Sequence, residues 1–357
     1  MAQSTARFID CTGTSPSPLD LWPALVIPKE DLEAEVARLA RRPAPANGRR
    51  ASLIVHPCAQ PPGLGLAPGI QVSINVLQPG ERTAPRRHNS TLVNFCTCGD
   101  GSAMVGGTRF SVSQYDTWNV PSMHTYWHVN DGSAPLVFLT YSNAALLEKM
   151  NVHVVDEHPP ETAAPEPTLA LEPRRPDGTF QLTEAGAHLM PYEQLINPPA
   201  VESKPLHWPW TLVKAHLDKL AALDESYVGR RLYLLFNPAT GRTNGTTQNF
   251  FATITIRPPG IVDRPHRHTS AAINYFFAGH GRSVVEGTTY EWKAGDLMLS
   301  APGWGVHHHA SGDEPVYELT IQDSPLNIAM EALLWQEDLH GPVAVLGAQA
   351  GFVTNRR

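Results

Sequence analysis

The sequence predicts an all-β protein built from two consecutive antiparallel barrels of jelly-roll type, and three observations predict it. First, each half carries short runs rich in Val, Ile, Thr, Phe and Tyr: IQVSINVLQP and APLVFLTYS in one, FFATITIRPP and VYELTIQD in the other. Gly, Pro, Asn and Asp punctuate these runs at strand-turn intervals. Second, the halves repeat one another. LQPGERTAPRRHNSTLVNFCTCGDG and QYDTWNVPSMHTYWHVN in the first half correspond to RPPGIVDRPHRHTSAAINYFFAGHG and AGDLMLSAPGWGVHHHAS in the second. Gly80 pairs with Gly260, Arg86 with His266, His88 with His268, Asp116 with Asp296, Pro121 with Pro302, Tyr126 with His307 and His128 with His309. Third, a proline-dense segment, DEHPPETAAPEPTLALEPRRPDG and its continuation to NPPAVESKP, separates the copies.

In chain order, a Trp-Pro pair opens an amphipathic stretch in each half: Trp22-Pro23 before EDLEAEVARLA and Trp208-Pro209 before LVKAHLDKLAAL. Apolar residues recur there at three- and four-residue spacing, so both stretches are expected to be short helices preceding the strands. GRRASLIVHP (48–57) and GRRLYLLFNP (229–238) then open the two β regions, 181 residues apart. These landmarks divide the chain into a first barrel over 1–154, a proline-rich linker over 155–205 and a second barrel over 206–357. So much proline is expected to exclude regular helix or sheet from the linker and to carry it over the surface, with EAGAHLMPYEQLI a candidate for docking on a barrel. Cys96 and Cys98 stand two apart on an expected strand, so both side chains should pack on one face.

Composition narrows the function. A chain of 357 residues is long enough for two cores. A net charge of -7 leaves no basic footprint for nucleic acid and no polybasic surface for a membrane. No apolar run approaches the roughly 18 residues needed to span a bilayer, and the N-terminal MAQSTARFID lacks the order of a signal peptide. Four irregularly spaced cysteines suit a reducing compartment, and the expected location is cytoplasmic.

The chemistry lies in the second copy. If DRPHRHT is extended, His266 and His268 point to one face, because strand side chains alternate with period two. Two imidazoles from one strand can then hold one ion, with His307 arriving from a later strand. Alternation along HHH turns His307 and His309 inward and His308 outward, and places His309 as a proton manager or hydrogen-bond donor beside the ion. The spacing resembles the cupin superfamily: a glycine, five residues, then His-x-His (Gly260, His266, His268), and a proline five residues before the third histidine (Pro302, His307). The usual cupin glutamate after His-x-His is missing, with Ala272 and Ile273 in that region. Three neutral imidazoles leave the ion's double charge uncompensated and several positions open, which suits an anionic chelating substrate and dioxygen.

A closer resemblance covers most of residues 205 to 325. HRHTSAAINYFFAGHG, PGWGVHHHAS, GRRLYLLFNP and the PLHWPWTLVKAHL lead-in resemble the gentisate, salicylate and 1-hydroxy-2-naphthoate 1,2-dioxygenase family. The resemblance implies a bicupin that uses Fe(II), ligated by His266, His268 and His307, and O2 to open an aromatic ortho-hydroxycarboxylate between its carboxyl- and hydroxyl-bearing carbons. It further implies that Arg231 holds the substrate carboxylate, that His309 contacts the hydroxyl or oxygen side, and that the protein is a homo-oligomer, a dimer or tetramer. The chain departs from the family in three places. Its intact site is in the second copy, and Asn274 and Thr255 stand where an arginine and a glutamine usually line the pocket. Those two replacements point to a salicylate-type substrate, 5-nitrosalicylate included, rather than gentisate. Trp304 and Tyr275 are candidate aromatic walls, with plain barrel packing the alternative.

In the first copy Arg86 stands at a ligand position and cannot bind a metal. That barrel is expected to be structural, with an anion pocket of Arg86, His88, Tyr126 and Arg50 as the alternative. Two other functions remain open for the whole chain: a metal-dependent cupin isomerase or lyase, and a non-catalytic small-molecule-binding bicupin.

Overall fold

The computed structural model describes residues 6–161, 179–191, 201–222 and 231–349. Two barrels are present, each a large sheet facing a three-stranded one, as the repeat predicts. The first large sheet runs His207–Trp208, Thr117–Val120, Leu92–Cys98, Leu136–Ser142, Gln71–Leu77, Arg50–Ile54; the second runs Leu25–Ile27, Leu297–Pro302, Ala271–Ala278, Val316–Gln322, Phe251–Arg257, Arg231–Leu234. The smaller sheets are Thr108–Val112, Gly101–Val105, Tyr126–Val129 and Thr288–Lys293, His280–Val285, His307–Ser311.

The outermost strands cross over. Leu25–Ile27, from the start of the chain, pairs with Leu297–Leu299 of the second barrel, and His207–Trp208 pairs with Trp118 and Thr117 of the first. Each crossing strand is followed by one of the expected helices, Lys29–Ala40 and Trp210–Ala221. Neither helix has a side-chain cap of its own. Instead the first N–H of each is taken by an aspartate of the barrel to which the preceding strand crosses: Lys29 N–H to Asp296 Oδ1 at 2.7 Å, and Trp210 N–H to Asp116 Oδ1 at 2.6 Å. A carboxylate satisfies an otherwise orphaned donor and favours the positive end of the helix dipole.

Alternation along the large sheets gives each two apolar faces of different use. One face of each packs against the other barrel in a shared core that joins Val72, Ile74 and Phe95 to Ile254, Ile273 and Leu319, with Leu39 and Leu217 of the helices. Fully burying such a side chain contributes about 1.5–3 kcal/mol. The opposite face lines each barrel, around Phe138 and Trp118 in the first and Phe276, Trp292 and Met298 in the second.

Two expectations are corrected. Cys96 is buried and Cys98 exposed, because the strand slips register against Val137 and Phe138 and the extra residue, Thr97, breaks the alternation. The linker is not wholly irregular: Val155–Asp156 pairs with Arg87–His88, and Phe180–Gln181 forms a small ladder with His188–Leu189. Residues 180–191 are exposed rather than docked on a barrel, and the rest of EAGAHLMPYEQLI lies outside the described residues. No described helix is long and apolar enough to cross a membrane.

Candidate metal centre

His266 and His307 face each other across a hydrogen-bonded antiparallel bridge, His266 N–H to His307 C=O at 3.1 Å and the reverse at 2.9 Å. His268 follows two residues later, in the strand Arg267–His268 that pairs with Trp335 and Gln336. All three are buried, and their ligand atoms lie within 4.8 Å of one another. The spacing-based expectation thus converges in space.

Hydrogen bonds set the tautomer of each ring. Nδ1 of His266 is 2.8 Å from the Arg264 carbonyl, Nδ1 of His268 is 2.9 Å from that of Ser270, and Nδ1 of His307 is 3.0 Å from that of Gly305. A carbonyl only accepts, so each Nδ1 donates and each Nε2 carries the lone pair a metal needs. The donor set therefore fits a divalent ion: three imidazoles and, among the described residues, no carboxylate. Trp335 lies nearly parallel to His266 and His268, with centroids 5.5 and 5.1 Å away, and forms an apolar wall to the site. Nothing in the spacing around LLWQ marks that residue; only its pairing with His268 brings it in.

His309 is oriented the opposite way. Trp292 Nε1 donates to Ser283 Oγ at 2.8 Å, and Ser283 Oγ lies 2.7 Å from His309 Nδ1. Ser283 is fully buried, so its hydroxyl proton is directed to His309 Nδ1. His309 then carries its own proton on Nε2 and is a donor rather than a fourth ligand. Ser283 and Trp292, which sequence reasoning missed, sit in a strand pair with no motif of their own.

The other expected residues divide between two sides. Asn274 and Thr255 face into the second barrel: Asn274 donates to Thr320 Oγ1 at 2.9 Å and accepts from Ser300, while buried Thr255 Oγ1 has no partner among the described residues. Arg257, on the Thr255 face, is held by Glu318 and Asp263 at 3.1–3.3 Å. Arg231 is buried as expected but lies opposite Ile256, whose side chain belongs to the core between the barrels. Directly opposed residues share a face, so the register turns Arg231 away from Thr255, against the expectation that it points inward. Its first-barrel counterpart, Arg50, is likewise opposite Val76 and bound to Glu81. Arg230 lies outside the described residues. Trp304 is also redirected. The guanidinium of Arg267, which alternates outward between His266 and His268, stands 4.5 Å over its ring. Tyr275 packs against Phe95 of the other barrel, the plainer of its two readings.

Several known proteins are similar to this chain. A family model described as AraC-like ligand binding domain matches residues 251–350. A 5-aminosalicylate 1,2-dioxygenase of Comamonas sp is 25% identical over 263 residues, 72% of this chain and 66% of that protein. The chain therefore spans just under two thirds of that relative's length. A 5-nitrosalicylic acid 1,2-dioxygenase of Bradyrhizobium sp is 30% identical over 141 residues, 38% of this chain and 68% of that protein. The salicylate 1,2-dioxygenase structure from Pseudaminobacter salicylatoxidans superposes with a TM-score of 0.73 at 18% identity, covering 91% of this chain and 90% of that one, a likeness of fold. With a buried three-histidine site inside the second of two cupin barrels, the chain belongs to the gentisate, salicylate and 1-hydroxy-2-naphthoate 1,2-dioxygenase family and has a bicupin fold.

Proposed function

We propose that this enzyme uses Fe(II) at His266, His268 and His307 to open the ring of a salicylate-type ortho-hydroxycarboxylate between its carboxyl- and hydroxyl-bearing carbons. The observation that carries the reading is the all-imidazole donor set. With no ligand carboxylate, the site keeps a charge that a bidentate carboxylate and phenolate can neutralise. When bound, iron would supply the electronic coupling between ring and dioxygen that ring opening requires.

The chain's own groups do the rest. Trp335, stacked on two of the ligand imidazoles, fixes the planes in which they present Nε2. His309 holds a proton on Nε2, positioned to hydrogen-bond an oxygen of the substrate or of O2. Thr255 Oγ1 offers a hydrogen bond to a ring substituent such as the nitro or amino group of a 5-substituted salicylate. Arg231, turned from the barrel interior, leaves the carboxylate to the metal.

Oxygen uptake by anaerobically Fe(II)-loaded protein, measured with salicylate, 5-nitrosalicylate, gentisate and 1-hydroxy-2-naphthoate, tests the reading. We expect uptake matched to loss of aromatic absorbance, highest with a substituted salicylate and absent in His266→Ala. Bound metal with no uptake on any of the four would instead favour a metal-dependent isomerase or lyase.

A further inference from the structure

The first barrel repeats the architecture of the metal site with different chemistry. Arg86 bridges Tyr126 as His266 bridges His307, and Ala103 lies opposite His128 as Ser283 lies opposite His309. His88 keeps the hydrogen bond of its counterpart, Nδ1 to the Ser90 carbonyl at 3.0 Å, but its Nε2 is 2.9 Å from the Tyr126 hydroxyl. The ligand set has become an arginine, a tyrosine and a histidine, which cannot hold a cation.

The space has nevertheless not been filled. A cavity of about 230 Å³ remains, lined by Arg49, Arg86, His88, Tyr126 and His128 on its polar side and by Leu77, Leu92 and Phe138 on its apolar side. Two polar atoms in this lining are buried with no partner among the described residues, Arg86 Nε and His128 Nε2, and His128 is only 4% exposed. A buried polar atom left unsatisfied costs about 1–3 kcal/mol, so a structural copy under no other demand is expected to lose it. The barrel has instead kept the groups and the room.

Charge and size define what fits. Among the described residues no aspartate or glutamate lines the cavity. At its rim Glu157 is shared between Arg49 at 2.9 Å and Arg86 at 3.5 Å. Two guanidiniums against one carboxylate leave one positive charge. Burial pushes the imidazoles of His88 and His128 down to about 3, so both are neutral at pH 7 and add none. A cavity of about 150 Å³ accepts benzene, so this one has room for a benzene ring and a carboxylate. An inorganic anion would meet the arginines but leave the Leu and Phe walls unoccupied.

We infer that the first barrel is a second, non-catalytic binding site for a small aromatic monocarboxylate, whose carboxylate meets Arg86 and Arg49 and whose ring lies against Phe138 and Leu92. Arg50 also lines the cavity, but its guanidinium is already engaged by Glu81 and brings no free charge to it.

Benzoate is the probe, because without an ortho-hydroxyl it is a poor chelator and the metal site can be removed from the measurement. Full-length protein stripped of metal is titrated calorimetrically with benzoate and, separately, with inorganic phosphate. We expect one benzoate site, retained in His266→Ala and weakened at least tenfold in Arg86→Gln. It should be weakened equally in Ser73→Leu, which fills the cavity without touching a charge and decides the matter if Arg86→Gln does not fold. Absence of benzoate binding, its loss in His266→Ala, or its persistence in Ser73→Leu would overturn the inference. Phosphate binding as tight as benzoate would make this an inorganic-anion pocket and overturn it equally. None of these results depends on whether the second barrel turns over salicylates.

Discussion

At the scale of single residues, the two kinds of histidine in the second barrel differ only in which nitrogen is occupied. His266, His268 and His307 give Nδ1 protons to carbonyls, whereas His309 receives one from Ser283. Ser283→Ala removes that direction and lets His309 flip to the ligand-type tautomer. We expect iron content within error of wild type and kcat reduced about 10–100-fold, the usual cost of losing such a support. A variant with both iron and kcat lost would mean that Ser283 serves folding alone. Asp323 gives a second residue-scale prediction. Complete burial pushes its carboxyl up to about 7, although it accepts the Ala271 N–H. Between the unfolded value of 3.8 and 7 the folded protein holds a proton that the unfolded chain has released, so stability falls as pH rises through that window. The first barrel has Asn143 in the same role, accepting the Thr91 N–H. Asp323→Asn should therefore raise Tm at pH 8, by about 2–4 °C for each kcal/mol recovered, with the difference shrinking towards pH 4. A constant difference across pH, read by calorimetry, would show that Asp323 is ionised throughout.

At the scale of elements, the spacing arguments read well wherever a landmark was local. His-x-His with its glycine, and the proline before His307, are short-range patterns, and the structure brings all three ligands together. Arg231 was misread because the repeat gives a strand's position but not the phase of its two faces; in the first barrel Arg49 and Arg50 both line the cavity, but the Arg50 guanidinium is held by Glu81. Cys98 was misread because a one-residue bulge reverses that phase. The crossing strands were not legible: Leu25–Ile27 and His207–Trp208 are too short to show alternation, and their partners are remote in sequence. The aspartates that hold these arms support a prediction at this scale. Asp296 accepts from Lys29 N–H and, through its other oxygen, from Lys293 N–H at 2.9 Å. Asp296→Ala leaves both donors unsatisfied and should cost about 2–4 kcal/mol. Trypsin should then cut after Lys29 in otherwise folded protein; resistance equal to wild type would mean that the strand pairing alone holds the arm.

At the scale of the whole molecule, the repeat announced two barrels, and two barrels exist, but they are not two independent units. They share one apolar core and exchange their leading strands. The division of labour between them follows from a few positions. Where the second barrel carries His266, His307 and Ser283, the first carries Arg86, Tyr126 and Ala103, and the same scaffold holds a cation site in one half and a cationic cavity in the other. The replacement of His266 and His307 by Arg86 and Tyr126 was visible in the sequence, and the Ser283–Ala103 difference was not. The depth of the cavity was not, because it depends on side chains from strands throughout the first half.

The exchanged arms also bear on how the protein is made. Leu25 emerges from the ribosome early, but its partner, Leu299, is synthesised some 270 residues later. At about 5–20 residues per second that is a wait on the order of 15–55 s. Once residue 208 is made the first barrel's large sheet has all its strands, while the N-terminal arm still has nowhere to dock. Closure of the native structure therefore falls to the end of translation, and a truncated product is left with its leading strand unpaired.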